Sequence, residues 1–113
     1  MPAQPEAFLR FTERFGERFP LMQEPVVRWW MKTCPNTTQT AVLRGGKCYS
    51  GLYYRDDGVD VAWRGSIGRS AYLHELLHYF LDQQSGDSDP VHVQSELWRE
   101  VNQINDALQD DGI

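Results

Sequence analysis

Apolar residues recur along this chain with two different periods, and the change between them divides it into segments. Between residues 6 and 19, Phe8, Phe11, Phe15 and Phe19 fall at steps of three, four and four. That spacing lines one side of an amphipathic helix with rings and assigns them to a core. Pro20 ends the segment. A second short helix is predicted from Pro25, a good first-turn residue, through Val26, Val27, Trp29, Trp30 and Met31 to Lys32, before Pro35 and Asn36 break it.

From Thr40 to Trp63 the pattern is that of strands: Ala41 to Leu43, a Gly45-Gly46 turn, Cys48 to Tyr54, the turn Asp56-Asp57-Gly58, then Val59 to Trp63. A glycine after two aspartates between β-formers is a hairpin signal. The expected product is a small antiparallel sheet of two or three strands, in which Val59 to Trp63 alternates so that one face meets the core. The helical period then returns. Ser66 or Ser70 caps a helix running to Asp82 or Gln84, Gly86 stops it, Pro90 precedes a restart, and a last helix spans Gln94 to Leu108 with Leu97, Val101, Ile104 and Leu108 inward. No repeat or linker marks a boundary, so residues 1–113 read as one α+β domain with N-terminal helices, a small antiparallel sheet and two further helices.

Charge narrows the function. Eleven Lys and Arg against 16 Asp and Glu give a net −5, without the basic footprint that nucleic acid or anionic membrane requires. The apolar runs are too short to span a bilayer, and Glu6 and Arg10 interrupt the N-terminus where a signal-peptide core would lie. Two cysteines are too few for a disulfide framework or a Cys-rich zinc ribbon. A Cys34 to Cys48 bridge would close a loop of 13 intervening residues and place the mature protein in a secreted or periplasmic setting; two reduced thiols would leave it cytoplasmic.

The chemistry lies in Tyr72-Leu73-His74-Glu75-Leu76-Leu77-His78-Tyr79-Phe80-Leu81-Asp82, which contains H-E-x-x-H on a predicted helix, the zinc-binding pattern of metallopeptidases. At about 100° per residue the two imidazoles lie about 40° apart and one turn apart in rise, so both reach one ion. Glu75 falls beside them, placed to face a water without being a ligand, while Leu73, Leu76, Leu77, Phe80 and Leu81 occupy the opposite arc. A catalytic zinc site takes three protein ligands. His92, 14 positions after His78, is the first choice for the third, and Glu96, 18 positions after it, is the competitor. Asp87 or Asp89 could instead orient a histidine. Asp82 reads as a solvated charge at the helix end, and Trp98 as packing beneath the loop. Tyr79, Tyr72, Arg69 and the pair Tyr53-Tyr54 are candidates to stabilise an oxyanion, each weighed against a packing or surface role. In one further reading the tail Gln109-Asp110-Asp111 carries carboxylates to the ion of its own or a neighbouring molecule, set against an acidic end without a role.

A short chain in which a β-hairpin leads into a H-E-x-x-H helix, then a loop and a further helix, resembles the zincin metallopeptidases in minimal form, with the single-domain minigluzincins nearest in size and element order. The matching residues are His74, Glu75 and His78, within a likeness covering residues 40 to 108. Minigluzincins imply Glu96 as third ligand. His92 in a Gly-Asp-x-Asp-Pro-x-His loop followed by Trp98 is more like small uncharacterised bacterial H-E-x-x-H proteins, and the metzincin continuation is absent. The resemblance implies a zinc-dependent peptidase, with Zn2+ lowering the pKa of its water and Glu75 passing the proton to the leaving amine. It also implies an extended substrate paired with the edge strand before the helix, here Val59 to Trp63. The expected partner is a peptide or protein, with neither nucleic acid nor membrane, acted on by a monomer. The competing reading is a non-catalytic zinc-stapled module closed by His74, His78, His92 and Glu96 or Asp89, or an inactive metallopeptidase homologue.

Overall fold

Helix α1, Pro5–Phe15, buries Phe11 and Phe15, and Phe19 follows them into the core from the turns beyond the helix. Phe11 packs on Phe15 with ring centroids 4.8 Å apart, and both Phe11 and Phe19 reach Phe80 of the second helix, at 5.6 and 5.8 Å. The computed structural model describes residues 4–54, 58–64 and 66–113, and of residues 66 and 67 the backbone alone. Asp56 and Asp57 of the expected turn lie outside the described residues.

The segment after Pro25 is a strand, not the second N-terminal helix expected from the sequence. Strand β1, Val27–Trp30, runs parallel to a later strand with Val27 opposite Val59 and Trp30 opposite Ala62. A short apolar run does not distinguish the two states by period, and here β-branched and aromatic content prevails. The side chains alternate as a strand requires. Trp29 stacks on Tyr72 of the second helix at 5.8 Å, whereas Trp30 lies on the other face under the Arg44 guanidinium, 5.0 Å from its ring centre.

The run from Cys48 to Tyr54 is likewise divided. Strands β2, Val42–Arg44, and β3, Lys47–Tyr49, form an antiparallel hairpin around Gly45 and Gly46, both at positive φ. At Ser50 the chain leaves that hairpin, and β4, Gly51–Tyr54, joins the main sheet antiparallel to β5, Gly58–Ala62. The sheet order β1-β5-β4 makes β5 the central strand of a mixed sheet. This corrects both the purely antiparallel sheet and the choice of Val59 to Trp63 as the edge. All five β5 residues are buried, so the strand has no solvent face. The hairpin covers that side, and Asp60, fully buried, accepts from the Arg28 Nε and, at 3.0 Å, from the Arg44 Nη2. Gly58, at φ +86°, is obligatory because a Cβ there would collide with the carbonyl of Val26, the residue just before β1.

Helix α2, Ser66–Ser85, packs on β4 and β5 with one side and on α1 and α3, Ser95–Asp110, with the other. Tyr72, Leu73, Leu76, Leu77, Phe80 and Leu81 are buried, as are Leu97, Val101, Ile104 and Leu108 of α3. Ser70 lies one turn inside α2 and does not cap it. Gly86, at φ +75°, ends the helix as read from the sequence, its N–H donating to the Asp82 carbonyl at 2.8 Å. The product is an α+β domain of three helices and two small sheets among the described residues. Cys34 and Cys48 are joined in a disulfide, with Cα atoms 6.3 Å apart. By loop closure such a bridge contributes about 3 kcal/mol, and it ties the hairpin to the segment after β1. No helix among the described residues is long and apolar enough to cross a membrane.

Candidate metal centre

Two ligand positions come from one face of α2 and the third from the loop before α3. The His78 Nε2 lies 3.2 Å from the His74 Nε2 and 3.1 Å from the His92 Nε2, and the ligating nitrogens of all three lie within 4.8 Å of one another. Nitrogens at 2.0–2.1 Å around a tetrahedral ion stand about 3.3 Å apart. The two separations from His78 match that value, and the three imidazoles could hold a metal ion. Glu96, the competing third ligand, is exposed in the first turn of α3 and is outside this group.

The protonation states suit metal binding. The His78 Nδ1 donates to the Ser88 carbonyl at 2.6 Å. A carbonyl can only accept, so this bond fixes the proton on Nδ1 and turns the Nε2 lone pair toward its neighbours. Burial lowers the His74 pKa to about 4, with further lowering by His78 and His92. Burial also lowers His78, against the opposing pull of the Ser88 carbonyl. Both rings are neutral at pH 7, with lone pairs available.

Glu75 is 7% exposed and packs against the backbone of β4. A Cβ at Gly51 would stand 2.9 Å from the Glu75 Cγ and 3.1 Å from its Oε2, so the carboxylate occupies space that glycine alone leaves clear. Burial raises its pKa to about 8. Stability in the metal-free protein follows from the two shifts. Glu75 holds its proton more tightly when folded, so its contribution is complete below pH 4.5 and is lost as pH rises to about 8. His74 holds its proton less tightly when folded, so its contribution is complete above pH 6.5 and is lost as pH falls to about 4. The two slopes oppose each other between 4.5 and 6.5, and only Glu75 acts from 6.5 to 8. Denaturant unfolding of metal-free protein is expected to lose roughly 2 kcal/mol over that upper interval, and Glu75→Gln to flatten it; an unchanged slope in the variant would assign the loss elsewhere.

The loop that delivers His92 is organised by Asp89, 3% exposed. Its carboxylate accepts from the Val93 and Gln94 N–H groups at 2.9 and 3.0 Å and from the Trp98 Nε1 at 2.8 Å. Desolvation pushes the Asp89 pKa up, but the bonds from Trp98, Gln94 and Val93 outweigh it and the carboxyl is held low, as an anion. Trp98 packs beneath the loop as read from the sequence, and further: its centroid lies 4.6 Å from that of His74 and 4.5 Å from those of His78 and His92.

Other assignments change. No hydrogen bond joins Asp87 or Asp89 to an imidazole among the described contacts; the Asp87 Oδ1 accepts from the Asp89 N–H at 2.9 Å. Asp82 is half-buried and accepts the Tyr53 hydroxyl, so it is not a solvated helix-end charge. Of the oxyanion candidates, Tyr72 is fully buried and donates to Glu24. Arg69 is buried against Asn105 and the Ile113 carbonyl. Tyr79 packs on Tyr53 at 6.0 Å, and Arg44 lies over the Tyr54 ring. In the acidic tail, Asp111 is paired to Arg10 at 2.7 Å rather than brought to the histidines. A cleft of about 340 Å³ lies between Tyr53 of β4 and the loop after α2, lined by Asp82, Gly86, Asp87, Ser88 and Pro90.

No protein-family model, curated protein or solved structure matches this chain.

Proposed function

We propose that this chain is a zinc-dependent metallopeptidase of minimal zincin-like form that hydrolyses peptide bonds within a peptide or protein substrate. The observation that carries the reading is the convergence of three imidazoles, two of them from the turn of α2 that also carries the buried carboxylate of Glu75. His74, His78 and His92 would hold the ion. Bound zinc supplies Lewis acidity, polarising a scissile carbonyl and making a water nucleophilic at neutral pH. Glu75 takes the attacking water's proton and returns it to the leaving amine. Its burial favours that role, since a carboxylate in a poorly solvated site gains by accepting a proton.

Substrate placement follows the sheet. The sheet has two edge strands, β1 and β4, and of these β4, Gly51–Tyr54, is the one that passes over Glu75. An extended peptide adding to β4 would be held by backbone hydrogen bonds, with its side chains meeting the cleft beside Tyr53 and Ser88. The zinc-stapled alternative needs a closed fourth position. Both Asp89 oxygens are engaged by N–H groups and Glu96 stands outside the group, which favours an open site. The disulfide supports a secreted or periplasmic setting over a cytoplasmic one.

Zinc-loaded protein incubated with a mixed peptide library is expected to produce internal cleavages, detected by mass spectrometry, that stop on chelation and return with added zinc. Intact peptides after prolonged incubation with fully loaded protein would overturn the assignment.

A further inference from the structure

We propose that Asp89 is a positioning residue that sets the place of His92 before any ion arrives, and so governs metal affinity from outside the coordination shell; this rests on the metal-site reading above. His92 lies on an irregular segment, and neither it nor Asp89 has ordinary backbone geometry: φ is +57° at Asp89 and +58° at His92. Non-glycine residues adopt this left-handed region uncommonly, Asp and His more readily than most, and two of them three positions apart require support from their surroundings. Asp89 supplies that determination at three points. Its own carbonyl accepts the His92 N–H at 3.0 Å. Its carboxylate gathers the next two N–H groups, of Val93 and Gln94, which fixes the chain immediately after His92. The same carboxylate holds the Trp98 indole at 2.8 Å, and that ring is in contact distance of all three imidazoles.

The loop is therefore clamped by protein atoms alone. Val91 and Val93 on either side of His92 are 76% and 74% exposed, so apolar burial does not place this stretch, and the carboxylate is its anchor. A second consequence is electrostatic. Neutral imidazoles leave a bound dication with its full charge, and a buried anion held close to the ligand loop offsets part of it.

The test uses the full chain and zinc itself. Asp89→Asn retains the shape but replaces one acceptor oxygen by a donor, so the three N–H groups can no longer all be satisfied. Trp98→Phe keeps the carboxylate and removes one donor. Zinc affinity, measured by competition with a chromophoric chelator, is expected to fall 10- to 100-fold in Asp89→Asn and by less in Trp98→Phe. Adding His92→Ala to Asp89→Asn should cost far less than His92→Ala alone costs the wild type. In the metal-free state, hydrogen exchange should show Val93 and Gln94 amides protected in wild type and open in Asp89→Asn, with α2 amides unchanged. Wild-type affinity in Asp89→Asn, full additivity with His92→Ala, or unchanged exchange at Val93 and Gln94 would each overturn the proposal. A wild-type protein that binds no zinc would instead overturn the metal reading, while the exchange measurement still decides whether Asp89 sets the loop.

Discussion

Glu75→Gln is expected to lower peptide-cleaving turnover by 10²- to 10⁴-fold while leaving zinc stoichiometry unchanged. The amide is nearly isosteric and fits the space left by Gly51, so the helix and the imidazoles keep their places. What is lost is the ability to accept and return a proton, which general acid-base catalysis typically values at that magnitude. The measurement is kcat on a fluorogenic peptide identified from the library, with metal content determined on the same samples. Equal turnover by both proteins would remove Glu75 from the chemistry. A parallel loss of zinc would show a supporting role for the ligands instead.

His92→Ala carries the second large effect. It leaves two ligands from one helical turn, His74 and His78, and removes the only one contributed by a separate segment. Zinc affinity is expected to drop by at least 10²-fold, beyond the range typical for outer-shell substitutions. Glu96→Ala should bind zinc like the wild type, because that carboxylate is exposed in the first turn of α3 and lies outside the group. Chelator competition on the two variants side by side separates the cases, and a loss of affinity in Glu96→Ala alone would reverse the ligand assignment.

What could be read from the sequence follows how local each determinant is. The i, i+4 pair His74 and His78, the buried arc of α2 and the Leu97 to Leu108 stripe are fixed by helical period alone, and they are found where that period puts them. His92 was legible as the remaining histidine. What places it is legible only in part: Asp89 is among the residues weighed for orienting a histidine, but its hold is on the Val93 and Gln94 N–H groups and the Trp98 indole, partners that no local pattern announces. Strand β1 is not legible because Val27 to Trp30 satisfies either state over so short a run, and its partner β5 lies about thirty residues away. The sheet edge depends on it: with a parallel strand on its far side β5 becomes central, β1 and β4 are the edges, and Gly51 of β4, unremarkable in the sequence, becomes the backbone against which Glu75 rests. The anionic pocket for the Arg28 and Arg44 guanidiniums at Asp60 was likewise hidden, because it depends on the hairpin folding back over β5.

X-ray absorption at the zinc edge, on protein loaded with one equivalent, decides whether three imidazoles share one divalent cation with a fourth position open. Three nitrogen scatterers are expected at about 2.0–2.1 Å with imidazole outer-shell features, and one further oxygen at a similar distance that exchanges for an added monodentate ligand. A zinc environment with fewer than three imidazoles, or with four protein ligands and no exchangeable position, would rule the shared site out.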